Sequence, residues 1–317
     1  GFPVTWLDEM RSLAAGDIDG DGKLDLAASL ARSGPTDVVM AWKASGAGLA
    51  GFPPNATATS GCGSTKCYLA GCYDQNLAVG DLDGDGRADL VAPHDNAYAS
   101  FHKGSGVAFD ANAMFTNTKK TPGIRYLHTL SEAQKGYAEN QATALQAHFT
   151  NTAPAIADMD GDGKPEVVML ASVQNASQAD RLKGVAVWVV RSDGSRLPGW
   201  ETPFHAPGYL AGLWDFGDNI VGATNQLSIA DLDAASPGPE IVFAGFDGKI
   251  HAVSAKNKEL WSFTYTTDKD VVTGGVVIGD LSKDGIPEIV FNTYSSTKDK
   301  GALFVLDASG KKLHEVK

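Results

Sequence analysis

The feature that most constrains the fold is an acidic motif that recurs five times along the 317-residue chain. Its three strongest copies read DIDGDGKLDLAAS from Asp17, DLDGDGRADLVAP from Asp81 and DMDGDGKPEVVML from Asp158. Two weaker copies, DLDAASPGPEIVFAG and DLSKDGIPEIVFN, begin at Asp231 and Asp280, so that successive copies are 64, 77, 73 and 49 residues apart. Self-similarity at such a period predicts an array of like structural units.

Each motif lies between two strand-like runs. Short alternating runs such as SLAAG, NLAVG and QLSIA precede the motif, and apolar runs such as LVAP and IVFAG follow it. A third run, as in VAVWVVRSDG and ALFVLDASG, and a shorter fourth run come later in most copies. This pattern predicts an up-and-down meander of four antiparallel strands, with the acidic loop between the first and second strands.

A four-stranded sheet cannot bury both of its faces alone, whereas radial packing of several such sheets does so and leaves only short edges. We therefore predict an all-β fold, a β-propeller of four-stranded blades that forms a single domain over residues 1–317. Five blades are recognisable from the motif. Six or seven blades stay open as alternatives, because a divergent blade can lack the acidic loop.

Two segments interrupt the repeat and are predicted to be insertions. Residues 121–150 include LSEAQKGYAENQATALQAHF, in which Ser131 begins a capping-box spacing and an apolar stripe runs from Leu130 to Leu145. These features predict a short helix in this insertion. Residues 205–224, HAPGYLAGLWDFGDNIVGAT, are predicted to form a long aromatic loop.

Four of the six tryptophans lie in or near the predicted strands. Trp42 and Trp188 alternate with apolar neighbours in third strands, so we predict that they pack between blades. Trp200 and Trp261 lie near fourth strands, and the sequence leaves their packing open.

The spacing of the acids predicts calcium sites. Ca²⁺ takes about six to eight oxygen ligands, at about 2.3–2.6 Å, from carboxylates, backbone carbonyls and water. Acids at positions 1, 3, 5 and 9 of a tight loop converge on one point, position 7 offers its backbone carbonyl, and glycines at positions 4 and 6 permit the turn. The predicted ligand positions are Asp17, Asp19, Asp21, Lys23 and Asp25; Asp81, Asp83, Asp85, Arg87 and Asp89; Asp158, Asp160, Asp162, Lys164 and Glu166; Asp231, Asp233 and Glu240; and Asp280, Ser282, Asp284, Ile286 and Glu288.

We expect calcium at three sites and at up to five. The fourth loop is one residue longer and has lost the acid at position 5, and the fifth loop has Ser282 at position 3. An EF-hand needs a Glu at position 12 and flanking helices, but position 12 is Ala28, Ala92 or Met169 in the strong copies. Acidic turns without an ion are the alternative for any single copy, and three copies in the same context argue against that alternative.

The net charge of −12 is concentrated in these loops, which hold 18 of the 38 acidic residues. Two carboxylates about 4 Å apart repel each other by about 4 kcal/mol at an effective dielectric constant of about 20, so an empty loop should open or take up protons. An acidic chain without a basic stripe is a poor nucleic-acid binder, and no nucleic-acid partner is expected. We expect no transmembrane segment, since no apolar run reaches roughly 18 residues.

The loops and the strands after them resemble the FG-GAP/VCBS repeat family, of which the integrin α-subunit head is a familiar member. The stretch LVAP at 90–93 is similar to the Gly-Ala-Pro half of the family name. The resemblance covers most of residues 10–317 apart from the insertions. It implies a propeller with peripheral structural calcium, in a secreted or cell-surface protein. Relatives include lectins, adhesins and appendages of polysaccharide-degrading enzymes, so the family does not fix a ligand.

No catalytic constellation is recognisable: HExxH and GxSxG are absent, and the seven histidines do not cluster at ligand spacing. We therefore predict a binding or adhesion module for a glycan or an extracellular or cell-surface protein, within a larger secreted or surface protein. A lyase-like polysaccharide-degrading enzyme and a purely structural domain remain the alternatives. The candidate ligand-binding residues are Trp214, Asp215, Phe216 and Asp218, because an aromatic ring beside carboxylates suits sugar stacking. Packing of Trp214 against its own propeller is the competing interpretation.

Cys62, Cys67 and Cys72 lie within eleven residues of one another. In an oxidising compartment two of them can pair, and the sequence does not decide which two. A zinc site is less favoured, since no fourth ligand lies nearby.

Overall fold

The structure is a computed structural model of the chain. It describes residues 2–5, 10–30, 38–52, 76–93, 99–107, 124–125, 145–148, 153–175, 182–193, 195–208, 214–216, 219–221, 226–273, 275–295, 297 and 301–317. These residues form 23 β-strands and no helix, which confirms the predicted all-β class. None of the described segments is an apolar helix of membrane-spanning length.

Each acidic motif joins the first two strands of an antiparallel meander, as predicted. The first sheet has the order β1–β2–β3 and the second has the order β4–β5–β6. The strands of these two sheets are β1 (Met10–Gly16), β2 (Asp25–Leu30), β3 (Val38–Lys43), β4 (Ala78–Gly80), β5 (Asp89–Pro93) and β6 (Ala99–His102). The predicted fourth element of the first sheet, LAGFP, begins in a turn that follows a single bridge between Trp42 and Gly48.

The third sheet is the largest, with the order β12–β11–β10–β8–β7, and β9 also pairs with β10. Its strands are β7 (Ile124–Arg125), β8 (Leu145–His148), β9 (Ala155–Ala157), β10 (Glu166–Asn175), β11 (Leu182–Val190) and β12 (Phe204–Ala206). The fourth strand of this meander is β12, whereas the predicted element LPGW at 197–200 lies mostly in a turn.

The predicted helix within residues 121–150 is not supported. The structure describes only residues 124–125 and 145–148 of this insertion, and both are strands; the rest of the predicted helix lies outside the described residues. β10 is ten residues long, and β9 pairs only with its first part, so the backbone groups of residues 172–175 need another partner. β8 supplies it. This pairing outweighs the helical spacing that ends at Leu145.

The fourth and fifth sheets contain the complete four-stranded meander. The fourth has the order β15–β16–β17–β18, and in the fifth β20 pairs with β21 in the path β19–β21–β22–β23. Their strands are β15 (Ser228–Ala230), β16 (Glu240–Ala244), β17 (Lys249–Val253), β18 (Glu259–Thr264), β19 (Val272–Thr273), β20 (Val277–Gly279), β21 (Glu288–Tyr294), β22 (Ala302–Leu306) and β23 (Lys312–Val316). A separate hairpin, β13 (Trp214–Phe216) and β14 (Asn219–Val221), lies within the predicted aromatic loop at 205–224.

The sheets follow one another in space through the strand that precedes each acidic loop, which is the first strand of each meander. β1 contacts β4, β4 contacts β9, β9 contacts β15, and β15 contacts β20. Apolar side chains of neighbouring sheets fill the space between them. The central ones are Ala27, Val39, Leu90 and Ala92 between the first and second sheets, Val168, Val187, Ile241 and Phe243 between the third and fourth, and Val242, Ile250, Ile289 and Phe291 between the fourth and fifth. The number of blades and the closure of a ring remain predictions.

Tryptophans connect successive sheets. The indole N–H of Trp200 donates to the carbonyl of Ala255 at 2.7 Å, and that of Trp261 donates to the carbonyl of Ala308 at 2.9 Å. Each acceptor lies in the turn that follows the third strand of the next sheet. A tryptophan near the end of one meander is thereby bonded to the next meander, which resolves the packing that the sequence left open.

Candidate metal centres

An acid at the end of each loop opens the second strand of the sheet. It pairs across the sheet with the last residue of the first strand, in the same register in all five repeats. We call it the closing acid. Its buried carboxylate accepts a hydrogen bond from the backbone N–H at loop position 2. The distances are 3.1 Å from Ile18 to Asp25, 2.9 Å from Leu82 to Asp89, 3.0 Å from Met159 to Glu166, 2.8 Å from Leu232 to Glu240 and 2.7 Å from Leu281 to Glu288.

The aspartate at position 1 holds the opposite side of the loop. Its Oδ2 accepts a hydrogen bond from the backbone N–H of the glycine at position 6 in four of the loops. The distances are 2.8 Å from Gly22 to Asp17, 2.9 Å from Gly86 to Asp81, 2.9 Å from Gly163 to Asp158 and 3.0 Å from Gly285 to Asp280. The longer fourth loop is held differently, since Asp233 Oδ1 accepts from the N–H of Ala235 at 3.0 Å.

The turn requires a left-handed backbone at positions 4 and 6. In the second loop Gly84 has a φ of 77° and Gly86 has a φ of 85°, values that glycine reaches without the strain of a side chain. In the fifth loop position 4 is Lys283, which adopts a φ of 62°. The fifth loop therefore keeps the shape of the strong loops with a less suitable residue.

Three acids converge in each of the first three loops. The groups are Asp17, Asp19 and Asp25; Asp81, Asp83 and Asp85; and Asp158, Asp160 and Glu166, and in each of them one oxygen per residue lies within 4.8 Å of the others. Ligand oxygens on opposite sides of a Ca²⁺ ion are about 4.6–5.2 Å apart, twice the metal–oxygen distance. The separations in these loops therefore fit an ion of that size. Among the described residues no other group of acids, histidines and cysteines is as compact.

Burial changes the titration of two of the closing acids, Asp89 and Glu166. It raises the pKa of the Asp89 carboxyl to about 7, although the backbone N–H of Leu82 acts in the opposite direction. Burial also raises the pKa of the Glu166 carboxyl. A positive charge nearby lowers the pKa of such a carboxyl and favours its ionised form. A cation beside Asp89 or Glu166 is thus favoured.

Three basic side chains reach into the strong loops, and the sequence analysis missed all of them. Lys43 forms ion pairs with Asp19 and, at 3.4 Å, with Asp21. The other two pairs join Lys103 to Asp83 at 2.7 Å and Arg191 to Asp160 at 2.8 Å; Arg191 also lies 3.4 Å from Glu166. The signal that could have found them is their common place, at or just after the end of the third strand.

The remaining predicted ligand residues are exposed on their loops. The side chains at position 7, namely Lys23, Arg87, Lys164 and Ile286, are exposed. At these positions only the backbone carbonyls are potential calcium ligands, and calcium binding by the carbonyls remains a prediction. Asp162 and Asp284 accept hydrogen bonds within their loops from the N–H groups of Lys164 and Ile286. The acids of the fourth and fifth loops do not form a group of three as compact as those above.

Three of the four aromatic-site candidates lie in a separate two-stranded hairpin. Trp214, Asp215 and Phe216 form β13, which pairs with β14, while Asp218 lies outside the described residues. The three cysteines also lie outside the described residues. The proposed ligand-binding role of Trp214 therefore stays a prediction.

A second cluster of charged groups occurs in the fourth sheet. His251 Nδ1 lies 2.7 Å from Glu259 Oε1, and His251 Nε2 lies 3.2 Å from each carboxylate oxygen of Asp247. The imidazole stacks on Phe243 with 5.3 Å between the ring centroids. Burial acts to lower the pKa of His251, but the hydrogen bonds to the two carboxylates outweigh it and raise the pKa. Since both ring nitrogens face carboxylates, the arrangement suits an imidazolium that joins a turn to β18.

The chain is similar to known proteins in one short region of sequence and in fold. The FG-GAP repeat family matches residues 11–32, which span β1, the first loop and β2. No curated protein is significantly similar to the chain in sequence.

Several solved structures are similar to the chain over most of its length. The Dos1 propeller is 12% identical, with a TM-score of 0.39, over 97% of this chain and 69% of that chain. A fungal lectin from Aleuria aurantia, described as a six-bladed β-propeller with a novel fucose recognition mode, is 9% identical, with a TM-score of 0.39, over 98% and 78%. A europium-containing methanol dehydrogenase is 10% identical, with a TM-score of 0.43, over 92% and 67%. Likeness at this level carries no argument about ligand or activity.

Proposed function

We propose that this chain, whose first acidic loop lies within an FG-GAP repeat, is a calcium-stabilised β-propeller that acts outside the cytoplasm as a binding module. The observation that carries the proposal is the convergence of three carboxylates, within 4.8 Å of one another, at the same place in three successive sheets. Calcium-binding loops of extracellular modules work at about 10⁻⁴–10⁻³ M, a concentration range that is found outside cells.

The donor set suits calcium because it consists of carboxylates and carbonyls on flexible glycine-containing turns. A bound Ca²⁺ would add positive charge beside a buried closing acid such as Asp89, whose carboxyl pKa is raised by burial. The carboxylates would then hold the first strand to the second, so that ion binding adds to the free energy of unfolding. Three sites are expected in the strong loops, and the fourth and fifth loops could raise the number to five.

The architecture that supports this role is a ring of five sheets in one domain, residues 1–317, with insertions at 121–150 and 205–224. The support for a ring is the succession of contacts between first strands, from β1 through to β20. Such a succession is expected for the inner strands of a propeller.

The ligand is proposed to be a glycan or an extracellular or cell-surface protein, bound through the hairpin of β13 and β14. Its aromatic residues, Trp214 and Phe216, lie beside Asp215 in the chain, and aromatic rings near carboxylates are common in sugar sites. The hairpin falls between the third and fourth sheets in sequence, where an insertion does not interrupt a meander.

A glycan array probed with the whole chain in calcium tests the binding role. Binding to a defined set of glycans should be lost when Trp214 is changed to Ala. It should persist in a Tyr294→Ala control, which removes another aromatic side chain, 60% exposed, from the fifth sheet. If the Trp214→Ala variant binds glycans as the wild type does, the hairpin is not the binding site. If the chain binds no glycan and no extracellular protein, a purely structural domain is the remaining interpretation. Unsaturated products from an anionic polysaccharide, detected by absorbance, would instead indicate a lyase.

A further inference from the structure

We infer that Lys43, Lys103 and Arg191 are internal counter-ions of the first three loops, which stabilise those loops without metal and raise the calcium concentration needed to fill them. The inference rests on the calcium binding proposed above and adds the regulation of its affinity. It assigns a role to three residues that the loop motif does not contain.

The three cations occupy one equivalent position. Lys43 is the last residue of β3, whereas Lys103 and Arg191 directly follow β6 and β11. The equivalent residues of the last two sheets are Ser254 and Asp307, which directly follow β17 and β22. In all five sheets the backbone N–H of this residue donates to the carbonyl four residues later, at 2.8–2.9 Å. The turn is therefore the same, and only the side chain differs.

Each cation contacts the same member of its loop, the aspartate at position 3. Lys103 Nζ lies 2.7 Å from Asp83 Oδ2, and Arg191 Nη2 lies 2.8 Å from Asp160 Oδ2. Lys43 Nζ pairs with Asp19 Oδ2. The carboxylates of these aspartates belong to the three compact groups described above. The cations thus compete for oxygens that a metal ion would use.

The presence of the cation follows the number of acids in the loop. The first three loops each have four acids, and the equivalent position on their turn is a cation; the fourth and fifth loops each have three acids, and that position is Ser254 or Asp307. Asp307, at the cation position of the fifth sheet, accepts three hydrogen bonds within its own turn, from the backbone and the hydroxyl of Ser309 and from the N–H of Lys311. A fourth carboxylate adds repulsion to an empty loop, and a fixed positive charge beside it offsets that repulsion.

The same charge acts in the opposite direction once calcium is present. A cation a few ångströms from the loop centre repels a dication, and it must share an oxygen of the position-3 aspartate with the metal. Removing the cation should therefore strengthen calcium binding and weaken the empty loop. A residue that only positioned the aspartate would have the opposite effect on affinity, and an ordinary exposed ion pair would have almost none.

The test uses Lys103→Met, which keeps most of the side-chain stem, in the whole chain. Lys103→Arg retains the charge, and Lys258→Met removes an exposed lysine from the equivalent turn of the fourth sheet. Hydrogen–deuterium exchange with mass spectrometry, across a calcium titration, reports each loop separately through peptides covering 17–25, 81–89 and 158–166. The unaltered first and third loops show in the same molecule that the variant is folded.

We expect the calcium concentration at half-protection of residues 81–89 to fall about tenfold in Lys103→Met, with unchanged midpoints in the other two loops. In excess chelator the same peptide should exchange faster than in the wild type. Lys103→Arg and Lys258→Met should behave as the wild type. An unchanged or higher midpoint for residues 81–89 would overturn the inference while leaving the calcium sites in place. Exchange that ignores calcium in all three loops of the wild type would overturn both.

Discussion

The first three acidic loops and the last two are built on one frame but carry different side chains. All five share the register of the closing acid, its hydrogen bond to the N–H at position 2 and the turn after the third strand. Only the first three bring a group of acids within 4.8 Å and place a cation against it. The frame is therefore set by strand pairing and one buried acid, and a compact group of three acids occurs only in the loops that have acids at both positions 3 and 5.

Removing calcium should have the largest effect on stability, because the first three loops are the ones expected to hold it. If three sites are each filled at about 100 times their dissociation constant, binding contributes about 8 kcal/mol in total. Excess chelator should then lower the melting temperature by at least about 10 °C. Differential scanning calorimetry measures this, with calcium restoring the transition and magnesium, which requires shorter octahedral bonds, restoring little. A transition that is indifferent to chelator would show that the loops are not structural metal sites.

Single ligand substitutions should rank the loops. Asp83→Ala or Asp160→Ala should lower the free energy of unfolding in saturating calcium by about 2–4 kcal/mol, since each removes an acid from a compact group. Asp233→Ala, at the same position of the fourth loop, should cost less than about 1 kcal/mol. Urea denaturation gives all three values, and Asn variants at the same positions separate lost charge from lost volume. The reverse order would show that the fourth loop binds metal more tightly than the strong loops.

Two buried histidines, one in the second sheet and one in the fourth, should make the free energy of unfolding depend on pH in opposite directions. Burial lowers the pKa of His102, in the second sheet, to about 4. Its stabilising contribution is therefore complete above the unfolded pKa of about 6.5 and is lost as the pH falls toward 4. The pKa of His251, in the fourth sheet, is raised, so its contribution is complete below about pH 6.5 and is lost as the pH rises through the raised value.

The measurement is urea denaturation between pH 5 and pH 8. From pH 7 to pH 5 the wild type should lose about 2 kcal/mol through His102, and His102→Leu should lose correspondingly less. His251→Gln should be more destabilising at pH 6 than at pH 8. Parallel pH profiles for the wild type and His102→Leu would contradict the neutral, buried state of that ring.

The smallest effect concerns the backbone at position 4. Gly84 has a φ of 77°, and a Cβ there would meet no atom within 4 Å, so Gly84→Lys should cost about 1 kcal/mol through conformation alone. Lys283 already has a φ of 62° in the fifth loop. Lys283→Gly should therefore stabilise the protein by up to about 1 kcal/mol, reduced by the greater freedom of glycine in the unfolded chain. Thermal denaturation of the two variants measures both values, and a loss in each would mean that Lys283 makes a compensating contact.

The frame of the repeat could be predicted from the sequence because it is local. Acids, glycines and alternating apolar residues lie within about 20 residues of one another in every copy, and the predicted strands on both sides of each loop are present. The predicted helix that includes Leu145 is not supported, since residues 145–148 form β8 and pair with the long strand β10. The apolar periodicity of one segment gives no information about unpaired backbone groups in another segment.

The cations could not be predicted from the loop motif because they come from another strand. Lys103 is 20 residues from Asp83 along the chain, and Arg191 is 31 from Asp160. Only the strand pairing brings them together. In the same way, His251 gave no signal as a site, since its partners lie on a turn and on the neighbouring strand. Sequence reasoning therefore found the residues that share a loop and missed those that meet across a sheet.

The indole links of Trp200 and Trp261 have a consequence for cooperativity. Each fastens one meander to the turn of the next, and that turn is the one that carries the cation in the first three sheets. Coupling between nearest neighbours of this kind lets a disturbance spread from unit to unit, as in a one-dimensional array. An ion bound in the third loop would then affect the fourth sheet as well as its own.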